Sequence, residues 1–467
     1  MASLHLFTSQ NDNAMKKIVL IAVLALFSSS LFGQEVLDTA ARTDQYGRRV
    51  DRTPLITENR DGILVFESKD QTYRLWFDIR VQTDGQITLG KTMNPIGNGV
   101  TIRRARFAAK ANLGKNWYGE LDLNAANGVL ELEDAYLSYN FLNGFITRVG
   151  NYKERFSMSE TASSRYLNFM ERGMVVTTFA PSRHIGWEGA YNGKRFFASA
   201  GVFFQEVKDQ ETQTYIEDNN KDFGRDQGIS LTGKFVFQPF GENRDYGLHL
   251  AYAYSYRQPK TDVDPSEYGG IRYNTRSISN INRKKYLDTD VIPYFRNQLL
   301  SNIEMAVYYK GFAVQAELIN NRTQRKNDLE ALNFGGYYVQ AVYMLFGGRQ
   351  VYNKSEGEFT QPDRGKKWGD IELALRYDFV DLNDKTVYGG SAEAFTSGLN
   401  FYASRNIKFQ FNLSSINHDR YASGKNKLYV GKDLTGELTK DPKKVATAAG
   451  KAGEDYKQLG IRFEINF

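Results

Sequence analysis

Residues 458–467 read QLGIRFEINF. Leu459, Ile461, Phe463, Ile465 and Phe467 alternate with Gly460, Arg462, Glu464 and Asn466. A period of two puts every apolar side chain on one face of an extended strand and every polar one on the other. A strand of about ten residues, tilted, is long enough to cross the hydrocarbon core of a bilayer. Such a strand fits either a soluble sandwich or a barrel whose apolar face meets lipid. The closing Phe467 resembles the terminal signal by which outer-membrane barrels are recognised for insertion.

The alternation recurs upstream. Tyr73, Leu75, Phe77, Ile79 and Val81 share one face, as do Ile371, Leu373, Leu375, Tyr377 and Phe379, and Ile407, Phe409, Phe411 and Leu413. The pattern predicts strands at 71–82, 100–113, 116–124, 131–141, 145–152, 183–191, 195–206 and 228–239. It predicts further strands at 245–257, 296–309, 312–321, 335–346, 369–380, 395–404, 407–417 and 458–467. Short turns at 114–115, 142–144, 192–193, 310–311 and 405–406 alternate with long links at 83–99, 153–182, 207–227, 258–295 and 417–457. Short turns on one rim and long loops on the other favour a transmembrane antiparallel up-and-down β-barrel of about 16 strands. The link at 347–368 breaks the rule, being long on the short-turn side. It is either an ordered excursion or a miscounted strand.

Composition agrees. The chain holds 29 Tyr, 31 Phe and 41 Gly against 9 Pro, which suits strands joined by tight turns. With no cysteine there is no disulfide framework, thiol nucleophile or thiolate metal site. A formal charge of +6, spread among nearly as many acids, gives little reason to expect nucleic-acid binding. From Met15, Lys16 and Lys17 precede IVLIAVLALF and then SSSLFG, the basic, apolar and small-residue parts of a signal peptide. The expected division is an N-terminal extension and signal peptide at 1–33, a periplasmic N-terminal arm at 34–70, polar and lacking alternation over 35–60, and the outer-membrane barrel at 71–467.

Candidate functional residues start in IRRARF at 102–107. Alternation places Arg104, Arg106 and Lys110 on the luminal face and Arg103 on the lipid phase, where it could reach headgroups. Arginine's planar fork suits phosphate oxygens. The same cations could instead pair with luminal acids such as Glu120 and Asp122. The link at 153–182 has an apolar tail unusual for a surface loop. Folded inward, it would bring Lys153, Arg155, Arg165 and Arg172 to a constriction, with Arg148 beside them; otherwise it is an exposed loop with solvated charges.

The chain resembles the phosphate-selective porin O and P family in IRRARF at 102–107, DAYLSY at 134–139 and VGNYKERFSMSETASSRYLNFMERG at 149–173. The resemblance continues through IGWEGAYNG at 185–193, WGDIELALRYDFVDLND at 368–384 and SGLNFYASRNIKFQFN at 397–412. It implies a sixteen-stranded homotrimer in the outer membrane of a Gram-negative bacterium, with small anions such as phosphate guided past an inward third loop. It implies Arg104 and Arg106 among the wall cations, and Lys153, Arg165 and Arg172 in or near the loop. Arg155 departs from the family, which usually has proline after the Lys-Glu pair, so an extra cation or an altered bend is expected there. Luminal Glu304, Glu317, Glu372 and Asp378 would dilute an anion preference. Outer-membrane lipid and the barrel-assembly machinery are the other expected partners; no cofactor, metal or catalytic residue is expected. A general diffusion pore, a sugar channel using Phe197, Phe203, Tyr118 and Tyr136, and a structural or adhesive barrel remain open. Catalysis would rest on lone histidines, His184, His249 and His418, without a G-x-S-x-G.

Overall fold

The computed structural model describes residues 43, 46–50, 53–126, 128–141, 144–204, 206–207, 228–258, 270–446 and 452–467. The signal peptide expected at 1–33 and the arm up to 42 lie outside the described residues. In the unit Met1–Pro54, Thr43 and Arg49 form an antiparallel bridge.

In the unit Leu55–Phe467, sixteen long strands follow one another. They are β1 (Tyr73–Leu89), β2 (Gly99–Leu113), β3 (Trp117–Asn124), β4 (Glu131–Asn140), β5 (Phe145–Lys153), β6 (Arg183–Asn192), β7 (Phe196–Phe203) and β8 (Ser230–Phe237). The rest are β9 (Tyr246–Arg257), β10 (Phe295–Tyr309), β11 (Phe312–Arg325), β12 (Leu332–Met344), β13 (Asp370–Asp384), β14 (Val387–Tyr402), β15 (Ile407–His418) and β16 (Tyr456–Asn466). Each pairs antiparallel with the next. β16 returns to β1, from Lys457 opposite Leu89 to Asn466 opposite Arg80, so the sheet is closed and has no edge there.

The wall is inside out relative to a soluble domain. On β13, Leu373 and Leu375 are exposed while Glu372, Arg376 and Asp378 are buried; on β16, Ile461 and Phe463 are exposed while Arg462 and Glu464 are buried. Apolar side chains outward and ionic ones inward fit lipid outside and a polar lumen inside. At the short-turn rim, exposed rings pair in Phe141–Phe145, Tyr191–Phe196, Phe240–Tyr246 and Phe346–Trp368, and exposed Trp117 meets the half-buried Tyr139. Such a ring belt suits the membrane interface.

The structure corrects three expectations. β1 runs on through 83–89, where Thr83 and Gly85 on the outward face weaken the apolar signal. β14 starts at Val387, so the link before it shrinks to 385–386; a glycine pair at 389–390 hides the alternation. The arm does contain strands: Leu55–Arg60 and Ile63–Ser68 form a hairpin whose second strand pairs with β1 at Arg74–Trp76. Its turn is Asp61–Gly62, both at positive φ, the Asp-Gly pair that tight hairpins prefer.

Two segments fill the lumen. From the long-loop rim comes 154–182, with short helices α1 (Met158–Thr161) and α2 (Met174–Phe179). Met174, Val175, Val176 and Phe179 of α2 are buried among Ile319, Phe334, Val380, Leu382 and further side chains from 271–292 and from Ala422 and Tyr456. Burying each large apolar side chain stabilises by roughly 1.5–3 kcal/mol, which explains the loop's apolar tail. From the short-turn rim comes the long link between β12 and β13. It is an ordered excursion. The Asp370 carboxylate starts it, accepting from Phe346 N, Gly348 N and Gly365 N at 3.0, 2.9 and 2.8 Å. Its tip is a hairpin of Tyr352–Asn353 with Glu358–Phe359.

Candidate functional site

The inward loop lies against one half of the wall, and that wall's acids hold it. Glu304 of β10 accepts from Met158 N (2.9 Å) and Glu317 of β11 from Ser159 N (2.8 Å). Glu372 of β13 accepts from Asn168 Nδ2 (3.0 Å), and Asp378 from Met174 N (3.2 Å). All four are buried. The acids expected to dilute the lumen's charge are therefore spent on loop backbone and on buried partners such as Lys234 and Arg376.

Space remains along the opposite half, β1 to β6. One cavity of about 310 Å³ is lined by eight cations and six carboxylates, among them Arg80, Arg106, Lys110, Arg148, Lys153, Arg155, Arg165 and Arg183. A second, of about 200 Å³ and nearer the long-loop rim, is lined by five cations and three carboxylates, including Arg104 and Arg172. Arg106, Lys153, Ser164 and Arg183 line both. This shared ring is where the two spaces meet.

The expected site residues fall in three groups. Arg106, Lys110, Arg155, Arg165 and Arg172 form ion pairs: Arg106 with Asp122 and Glu133, Lys110 with Asp78 and Glu120, Arg155 with Glu188 and Glu356, Arg165 with Asp78, Arg172 with Glu160. Pairing with Glu120 and Asp122 is thus realised for Lys110 and Arg106. Arg148 lies 3.8 Å from Glu356 and stacks on Tyr136 and Tyr152. Arg104 and Lys153 have neutral acceptors: Gln82 Oε1 at 2.8 Å for Arg104, and the carbonyls of Glu160 and Ala162 at 2.6 and 3.1 Å for Lys153. Among the described residues neither makes an ion pair.

Sequence reasoning missed Arg80, Arg183 and Arg103. Arg80 sits on the luminal phase of β1 between Ile79 and Val81, and donates to Ser164 Oγ at 2.6 Å without an ion pair among the described residues. The alternation quoted for 73–82 already placed it there. Arg183 opens β6 and pairs with Glu133 and Asp134. Arg103 does not face lipid. The β1–β2 register steps from Gln82 opposite Arg104 to Thr83 opposite Ile102, leaving Arg103 as the extra residue of a bulge. Its Nε and Nη2 reach Glu171 of the inward loop at 2.8 and 3.0 Å. A bulge re-aims a side chain that strict alternation would send outward. A second register step, between Leu121 opposite Ala135 and Leu123 opposite Leu132, leaves Glu133 and Asp134 together against Asp122, and both meet Arg183.

Glu356 and Glu358, from the link between β12 and β13, also line the larger cavity. Burial, then the neighbouring Glu356 carboxylate, pushes Glu358 up to about 7. The aromatic side chains form a track: Trp76–Tyr118, Tyr118–Tyr136, Tyr136–Tyr152 and Tyr152–Phe203 have centroids 5.6–5.9 Å apart.

A family model described as phosphate-selective porin O and P matches residues 77–434. A protein of Caulobacter vibrioides, named only as uncharacterized, is 24% identical over 359 residues, covering 76% of this chain and 70% of its own length. Among solved structures, the trimer form of OmpT, an outer membrane protein of Vibrio cholerae, superposes with a TM-score of 0.50 at 10% identity, covering 85% of this chain and all of that one. An anion-selective porin from Comamonas acidovorans gives 0.48 at 12% identity, with 85% and 100% covered.

Proposed function

This chain belongs to the phosphate-selective porin O and P family and forms an outer-membrane porin of a Gram-negative bacterium, and from that premise we propose that its channel prefers anions and admits small oxyanions such as phosphate. One observation carries the reading. In the ring where the two cavities meet Lys153 has carbonyl acceptors, and beside it Arg80 and Arg104 are held by neutral side chains, with no ion pair for any of the three among the described residues. Cations left uncompensated in a narrow, partly dehydrated passage lower the barrier for anions and raise it for cations. The site candidates Arg104, Arg106, Lys110, Arg148, Lys153, Arg155, Arg165 and Arg172 would act as this pathway's cations, together with Arg80 and Arg183.

Reversal potentials of the purified channel in a potassium chloride gradient test the reading. Chloride should permeate better than potassium, and inorganic phosphate should permeate or block. A potassium preference would sink it. Selectivity should weaken at about 1 M salt, where the Debye length falls to about 3 Å. The aromatic track favours a second reading, a path for neutral sugars. Liposome swelling with uncharged sugars, fast and unaffected by phosphate, would support that instead. We also propose a homotrimer; cross-linking in mild detergent should give a species of three times the monomer mass.

A further inference from the structure

The hairpin at the tip of the link between β12 and β13 is anchored through Tyr352 and presents a charge at its turn. Tyr352 Oη lies 2.6 Å from His249 Nδ1 and accepts from Gln238 Nε2 at 3.0 Å, and its ring packs with Tyr308 and Phe359. The tip carries Glu356, next to Gly357 at φ +70°. One Glu356 oxygen accepts from Arg155 Nη2 at 2.8 Å, and the other lies 3.8 Å from Arg148 Nη2.

The two arginines are preset for an anion. Arg148 is stacked over Tyr136 at 4.7 Å and Arg155 over Phe197 at 5.1 Å, so neither guanidinium can turn far. The Nε of each is buried and has no partner. Arg155 also holds Glu188, which is buried. Glu356 is the accessible member, with 37% of its side chain exposed against 4% for Arg155. The larger cavity opens onto all three residues, Arg148, Arg155 and Glu356.

We propose that Glu356 is a tethered counter-anion: its carboxylate occupies an oxyanion subsite between Arg148 and Arg155, and a permeating anion must displace it. The inference rests on the anion reading of the channel. A carboxylate on the same chain competes at high effective concentration, so the subsite is free only part of the time and apparent affinity for a mobile anion falls by that fraction. Arg155, where the sequence departs from the family pattern, supplies the close half of the grip.

The test compares wild type, Glu356→Gln, Arg155→Gln and the double variant in planar bilayers, with inorganic phosphate as probe. Glu356→Gln keeps the shape and removes the charge. It should raise the chloride-to-potassium permeability ratio and lower the half-blocking phosphate concentration by about tenfold. Glu356→Asp, charged but shorter, should lie between. With Arg155 already replaced, the Glu356→Gln change in phosphate block should largely vanish. An unchanged phosphate block in Glu356→Gln, or an equal change in both backgrounds, would overturn the proposal; the latter would mean a general field effect. A wild-type channel that prefers potassium would instead overturn the anion reading itself, so the two failures are distinguishable.

Discussion

Arg80 and Arg106 sit close together on the luminal wall yet should respond differently to neutralisation. Arg80 donates to Ser164 and among the described residues has no acid to leave behind. Arg80→Gln should lower the chloride-to-potassium ratio and cost about 1 kcal/mol, the scale of one hydrogen bond. Arg106 offsets both Asp122 and Glu133, which are buried. Arg106→Gln would strand Asp122 and leave Glu133 to Arg183 alone, so a larger selectivity loss and about 3–5 kcal/mol of destabilisation are expected. Reversal potentials and thermal unfolding of the two variants check this ordering. Glu358 supplies a pH dependence. It faces Glu356, Lys153, Thr161 and Lys234, and burial raises it to about 7. Lowering the pH from about 8 to about 6 neutralises it and removes negative charge from the cavity. Anion preference should rise as pH falls across that window and stay flat in Glu358→Gln. At this scale, alternation in the sequence placed Arg104, Arg106 and Lys110 in the lumen. It misplaced Arg103 because a bulge is a property of two strands in register, which one strand's sequence does not contain. Glu356 and Glu358 were illegible for a related reason: an irregular link carries no period.

At the scale of elements, strands were legible and loops were not. β13, β15 and β16 declare themselves because large apolar residues recur every second position. The outer half of β1 and the start of β14 do not, since Thr83 and Gly85 stand where apolar residues would mark the lipid face and a buried glycine pair at 389–390 interrupts the alternation. The apolar tail of the inward loop was visible, but its partners on β11 to β13 were not. The loop's anchors now make a prediction. Glu304 holds Met158 N, Lys234 and His249 together. Glu304→Ala would leave a buried ammonium without its carboxylate, costing about 3–5 kcal/mol, and would release the start of α1. Single-channel conductance should rise and fluctuate, and protease should cut within 154–182. Unchanged conductance would mean that α2 and the remaining anchors at Glu317 and Glu372 suffice to seat the loop.

For the molecule as a whole, closure depends on β16 meeting β1. Deleting 458–467 exposes two unpaired edges, which a lipid-facing wall does not tolerate. The shortened chain should lose the compact, heat-modifiable gel mobility of a folded barrel. Arg462 gives that seam a second role. Fully buried on β16, it grips Asp84 of β1 through Nε and Nη2 at 2.6 and 2.7 Å, and Nη2 also lies 3.4 Å from Glu171 of the inward loop. One guanidinium thus spans the first strand, the last strand and the constriction. These contacts join chain positions that are far apart, the slowest kind to form. A finished barrel with an unseated loop would be a wide hole in the cell's outer barrier, leaking whatever the constriction is there to refuse. Because one guanidinium serves both the final zip and the loop, closing the wall and seating the loop are expected to be coupled. Channels refolding into a bilayer should therefore appear at their final conductance, with no larger precursor.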